Sequence, residues 1–194
     1  SEEFLNCGDR VHYQGYGYAT TQIGGQCWFA ENLRSESYRN GDESPNDLSP
    51  LEWSRTGQGA TAVYGQDGVC LEPFSADGCW ERLQLYGRLY NGYAVTDPRQ
   101  LCPQGWHIPT NYDWAILADT LGGAELAGVA MKSIGRWGEE GGGSNASGFS
   151  ALPGGRMIHS GSYQHLAQSG WWWTNTKFNK TVANNADQLP TANN

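Results

Sequence analysis

The segment from Leu101 to Trp114, LCPQGWHIPTNYDW, constrains this chain more than any other stretch. It sets a cysteine, two tryptophans and two prolines around a helix start, because Thr110 and Asp113 form a T-x-x-D variant of the capping box. Trp114, Leu117 and Leu121 then recur on one face, so the spacing predicts a helix over 111–121, stopped by Gly122-Gly123. Taken residue by residue, the segment is scaffold rather than active site. Cys102 anchors, Trp106 and Trp114 fill the core, and Thr110 starts the helix.

The flanking sequence supplies further elements. A second helix is predicted over 124–133 with Leu126, Val129 and Ala130 inward, although Gly128 weakens it by about 1 kcal/mol relative to alanine. In YGRLYNGYAV, Tyr86, Leu89, Tyr90 and Tyr93 fall at i, i+3, i+4 and i+7, which predicts a short helix ended by Gly92 and Asp97-Pro98. Upstream, VHYQGYGYATTQI alternates and contains glycine, as two strands joined by a turn would. RNGDESPNDLSP reads as a turn-rich surface loop, residues 57–79 as glycine-rich chain with strand-like pieces such as TAVYG, and the chain beyond 135 as loop and short strands.

Composition narrows the function classes. With 27 glycines, nine tryptophans and ten tyrosines in 194 residues, a single loop-rich domain filled by large rings is expected, not a helical bundle. The net charge of −8, with no basic stripe, repels phosphate backbones, so neither nucleic acid nor an anionic membrane is an expected partner. No apolar run approaches the roughly 18–20 residues of a spanning helix, so membrane insertion is not expected. The start at Ser1, without a leader, fits a mature product whose signal has been removed.

Five cysteines set the compartment. No CxxC pair or zinc-finger spacing is present, so disulfides are the better reading. Cys7 and Cys27 bracket the paired strands, a geometry that brings their ends together, and Cys70 and Cys79 enclose the turn-rich LEPFSADG. We therefore expect the pairs Cys7–Cys27 and Cys70–Cys79 and an extracytoplasmic location.

Candidate chemistry is sparse. His107 stands beside Trp106 as a packed histidine, and His12, His159 and His165 show no HxH or HExxH spacing. No GxSxG elbow or cysteine-protease context points to a nucleophile, so the chain is not expected to be an enzyme. Asp42, Glu43, Asn46 and Asp47 in GDESPND carry the oxygens calcium prefers, but a solvated acidic turn accounts for them better, and no cofactor is expected. GGGSNASG lacks the Lys-Ser/Thr ending of a phosphate loop and is a connection.

Several blocks in one order carry a family resemblance: QIGGQCWFAENLR (22–34), YGRLYNGYAV (86–95), LCPQGWHIPTNYDW, SGFSALPGG (147–155) and GWWWTNT (170–176). Together they resemble the Fibrobacter succinogenes major paralogous domain, a secreted bacterial module. The resemblance implies an α+β, C-type-lectin-like fold: two short helices, a small antiparallel sheet and long irregular loops, stapled by disulfides. It implies one domain over 1–176, followed by an unmatched tail, 177–194. Related domains end in a strand with one more cysteine, so Cys102 is either a free buried thiol or has a partner on sequence absent here.

By the same resemblance, ligands bind in the loops between about 135 and 171. Trp137, Glu139, Asn145, His159, Tyr163, His165 and Trp171 are the contact candidates, because sugar CH faces stack on aromatic rings while polar neighbours supply hydrogen bonds. For the three rings, core packing is an equal alternative. The expected function is non-enzymatic recognition of a glycan or protein surface outside the cell or on a bacterial surface. The alternative is a structural subunit that assembles into a homo-polymer or filament. Formylglycine-generating enzymes share the broad fold, but the paired active cysteines are missing here.

Overall fold

The computed structural model describes residues 6–66, 78–138, 141–175 and the strand backbone at 180–183. Two successive hairpins open the chain. Strand β1 (Val11–Tyr13) pairs antiparallel with β2 (Tyr16–Tyr18) across Gln14-Gly15, both at positive φ as a two-residue hairpin turn requires. β3 (Thr20–Ile23) then pairs with β4 (Gln26–Phe29). VHYQGYGYATTQI is thus one complete hairpin plus the first strand of the next, and it is this second hairpin that places Cys27.

Cys7 and Cys27 form the expected disulfide, with Cα atoms 5.7 Å apart. Closing this loop contributes about 3 kcal/mol by the chain-entropy argument. Cys79 is also disulfide-bonded, while Cys70, its expected partner, lies outside the described residues. The hairpins are joined through Tyr18, which is fully buried, stacks on Phe29 at 5.0 Å and accepts a hydrogen bond from the Arg34 amide at 3.0 Å.

Five helices lie among the described residues, where the resemblance implied two. Helix α1 (Pro50–Arg55) begins at the last residue of the expected surface loop and continues through 51–55. Ser49 and Glu52 form a full capping box there, with proline at the first turn, and Trp53 is buried. Strand β5 (Thr61–Ala62) follows, then α2 (Cys79–Tyr86). β6 (Leu89–Tyr90) pairs with β5, and α3 (Gly92–Val95) is a single turn.

YGRLYNGYAV is therefore not one helix. Gly87 has φ 74°, and a Cβ there would lie 2.7 Å from the Asn32 side chain and 2.9 Å from the Leu33 carbonyl. The chain turns at this contact, and Asn91 turns it again by accepting from the amides of Ala60 and Ala94. Gly92 starts α3 instead of ending a helix.

Helices α4 (Asn111–Thr120) and α5 (Ala124–Met131) match expectation closely. Thr110 and Asp113 cap α4 reciprocally. On α5 the inward residues are Ala127, Gly128 and Met131, while Leu126 is 62% exposed, so the inner face is turned from the one assigned by spacing. These helices pack with Ile23, Trp28, Trp114, Leu117, Phe149 and Ala151 into the main core.

Two antiparallel strand pairs close the described residues. β7 (Gly154–Met157) pairs with β8 (Tyr163–Leu166), and β9 (Gly170–Trp173) pairs with β10 (Lys180–Ala183). The expected single sheet is thus, among the described residues, a set of two-stranded antiparallel pieces. The class is mixed α and β, held by tertiary packing of short elements. No described helix is long and apolar enough to cross a membrane.

Candidate functional site

A cavity of about 510 Å³ opens between β4, the 101–109 loop and β9. Its walls are mainly aromatic and aliphatic, and each is held by a distinct local device. Phe29, on β4, meets Trp106 with ring centroids 4.4 Å apart. The 101–109 loop has no ladder of its own, so Arg39 holds it: Nε donates to the Cys102 carbonyl at 2.7 Å, and Nη2 donates to those of Pro103 and Trp106, each at 3.1 Å. This staple fixes both Trp106 and Cys102 on the cavity wall.

Strand β9 supplies the third wall with Trp171, Trp172 and Trp173. Successive strand residues point to opposite faces, and Trp172 is the one packed against the main core. Its indole Nε1 donates to Asn32 Oδ1 at 3.0 Å, and that of Trp173 donates to the Tyr90 carbonyl at 2.9 Å. Beyond the strand, the Asn175 amide donates to the Pro109 carbonyl and the Thr174 hydroxyl bonds Asn111 Oδ1, tying β9 to the start of α4.

Most charged groups on the walls are already engaged. Glu31 lies 2.8 Å from Arg34, and Arg88 lies 2.6 Å from Glu36. Asp113 accepts from the Thr110 amide at 2.8 Å and the Thr110 hydroxyl at 2.7 Å, with His107 Nε2 3.3 Å away. Burial pushes the Asp113 pKa up, but the Thr110 and His107 contacts outweigh it and leave the carboxyl below its ordinary value. Burial pushes the Cys102 thiol up to about 11, against the pull of Arg39, so it is protonated at neutral pH and a poor nucleophile. The His107–Asp113 pair thus serves a helix cap beside an inert thiol.

Of the six expected residues that are described, only Trp171 lines this cavity. Trp137 is 1% exposed and donates its indole N–H to the Ala151 carbonyl at 3.0 Å, so it belongs to the core and presents no surface to a ligand. Asn145 is spent on its own loop, accepting from the Ser150 amide and donating to the Ser150 hydroxyl. Tyr163 packs on Tyr64 at 5.1 Å and against the Trp53 cluster, and burial pushes its phenol up to about 12. His159 and His165 are exposed away from the cavity, and Glu139 lies outside the described residues.

The cavity residues that sequence reasoning left out of the site, Trp106, Trp172, Trp173 and Arg156, come from distant segments, as does Arg39, which staples the 101–109 loop. For Trp172 and Trp173 the signal was GWWW, where three consecutive rings on a strand cannot all face the same core.

The acidic turn does not gather into a cation site. Asp42 pairs with Arg99 at 3.0 Å, Glu43 bridges to Ser37 through the backbone, and Asn46 turns its amide toward Glu36. Among the described residues, no group of three or more His, Cys, Asp or Glu side chains is placed to hold a metal ion.

No curated protein and no solved structure matches this chain significantly, so no ligand is transferred from a relative. The model of the Fibrobacter succinogenes major domain matches residues 21–189, continuing past the last recognisable motif and through β10. That match spans most of the sequence and covers the two central helices, the Arg39-stapled loop and the tryptophan strand. The chain belongs to the Fibrobacter succinogenes major domain family.

Proposed function

We propose that this domain is a non-enzymatic recognition module of C-type-lectin-like architecture, acting outside the cell or on its surface, and that it binds glycan in the aromatic cavity beside β9. The observation that carries this reading is the cavity itself: about 510 Å³, walled by Phe29, Trp106 and the β9 tryptophans. That volume lies within the range of small-ligand sites, and such sites are mostly apolar with a few placed polar groups. Indole faces offer sugar rings broad CH contact at little cost in side-chain entropy. A disulfide between Cys7 and Cys27 supports an oxidising compartment.

The fold reading is supported by the order of an N-terminal hairpin, the α4–α5 pair and a terminal hairpin. The absence of catalysis is supported by the high pKa of Cys102 and by the commitment of Asp113 to the α4 cap. Glycan-array screening with parallel light scattering tests the function. A monomer that retains a defined set of glycans is the expected result; a chain that binds none and elutes as a polymer would favour the structural-subunit alternative.

A further inference from the structure

One cation on the cavity wall stands apart from the engaged charges. Arg156, on β7, lies with its guanidinium carbon 4.3 Å from the centre of the Trp171 ring. Gln164, its register partner on β8, accepts from Nη2 at 3.0 Å and holds the fork in place. Its Nε is buried with no hydrogen-bond partner, and no described carboxylate lies within ion-pair distance. Arg88, the other arginine of the wall, is already paired with Glu36.

We propose that the cavity is selective for carboxylate-bearing sugars, the hexuronates, and that Arg156 is the residue that reads the carboxylate. This rests on the glycan-binding reading above and narrows it. A guanidinium stacked on an indole keeps its in-plane N–H donors available, and that planar fork matches a carboxylate in a bidentate pair. The adjoining Trp171 and Trp173 rings offer the apolar face that a pyranose CH surface covers. A hexuronate carries both features on one ring. With a net charge of −8 over the whole chain, long-range attraction does not recruit such a ligand, so selectivity falls to this local site.

The test is titration of the intact chain, followed by tryptophan fluorescence, with oligogalacturonate, oligomannuronate and hyaluronan oligosaccharides, each beside its methyl ester. At least one acid is expected to bind about tenfold or more tighter than its ester, with the preference weakening as salt rises. Arg156→Gln abolishes the preference and Arg156→Lys keeps part of it, both with unchanged thermal unfolding. Esters or neutral glycans that bind as tightly as the acids overturn hexuronate selectivity but leave the glycan site standing. Poly-glutamate bound as tightly as the uronates also overturns it, in favour of an acidic protein partner. Failure of wild-type chain to bind any glycan, acidic or neutral, overturns both the selectivity and the function beneath it.

Discussion

Trp137 and Trp171 begin from similar sequence surroundings, each a ring beside glycine in the second half of the chain, and end in opposite roles. Trp137 is sealed among Trp114, Met131 and Phe149, with its indole N–H satisfied by the Ala151 carbonyl. Trp171 stands on a two-stranded hairpin at the edge of an open cavity, with a guanidinium on its face. The first ring holds α5 to the return of the chain; the second is held in place by others at the cavity edge. A tryptophan in a loop-rich domain is thus assigned by what surrounds it in space, and the two regions respond differently to change.

The sharpest break of that comparison is truncation of each ring. Trp137→Ala is expected to cost about 3–5 kcal/mol, since it empties a large volume in the main core. Trp171→Ala is expected to cost within about 1 kcal/mol of stability, because part of the ring already faces solvent. Denaturant midpoints with unchanged m-values measure both; equal losses would erase the distinction between core and site.

Next in size is the staple of the N-terminal hairpins. Replacing Cys7 and Cys27 together with serine is expected to lower stability by about 3 kcal/mol. Urea midpoints of the wild-type and double-serine chains measure the loss.

A smaller effect is expected at the start of α4. Thr110→Ala removes the hydroxyl that accepts from the Asp113 amide and should cost about 1 kcal/mol, read as a lower melting temperature. Because Asp113 and Trp114 also border the cavity, any loss of ligand affinity beyond that stability change would show that the cap positions the wall.

The smallest effect is acid sensitivity on the scaffold side. Asp97 hydrogen-bonds Arg99 at 2.8 Å, and the Arg99 guanidinium lies 4.0 Å from the Tyr38 ring. The Arg99 contact holds the Asp97 carboxyl down at about 2, below its unfolded value of about 3.9. A depressed folded-state pKa contributes stability above the unfolded value and loses it as pH falls toward the folded one. Stability should therefore decline from about pH 4 to about pH 2, and urea titrations of Asp97→Asn across that window should show a shallower slope than wild type.

Local chemistry was legible and long-range chemistry was not. The α4 helix could be seen in advance because Thr110, Asp113 and the Trp114–Leu117–Leu121 face lie within a few turns of one another. The α1 cap is equally local, Ser49 with Glu52, but Ser49 falls in the turn-forming run 39–50 that read as loop, and its helix runs for only six residues. The spurious helix over YGRLYNGYAV arose because the forces that bend it, Gly87 against Asn32 and Asn91 onto Ala60, come from distant residues. Leu126 was placed inside α5 on hydrophobicity, whereas close packing there selects the smaller Ala127 and Gly128. The cavity joins Phe29, Trp106, Arg156 and Trp171, which no sequence spacing relates.

The most direct test of where this domain binds compares two variants on one glycan retained by the wild-type chain. Trp171→Ala removes a ring of the β9 wall, while His159→Ala combined with His165→Ala alters two exposed residues of the 135–171 region expected from sequence to carry the site. The affinity of each is measured by calorimetry. Binding at the cavity predicts that Trp171→Ala weakens affinity by about tenfold or more and that the double histidine variant binds as wild type does. Loss of binding in the histidine variant, with Trp171→Ala unaffected, would contradict it and return the site to the loops.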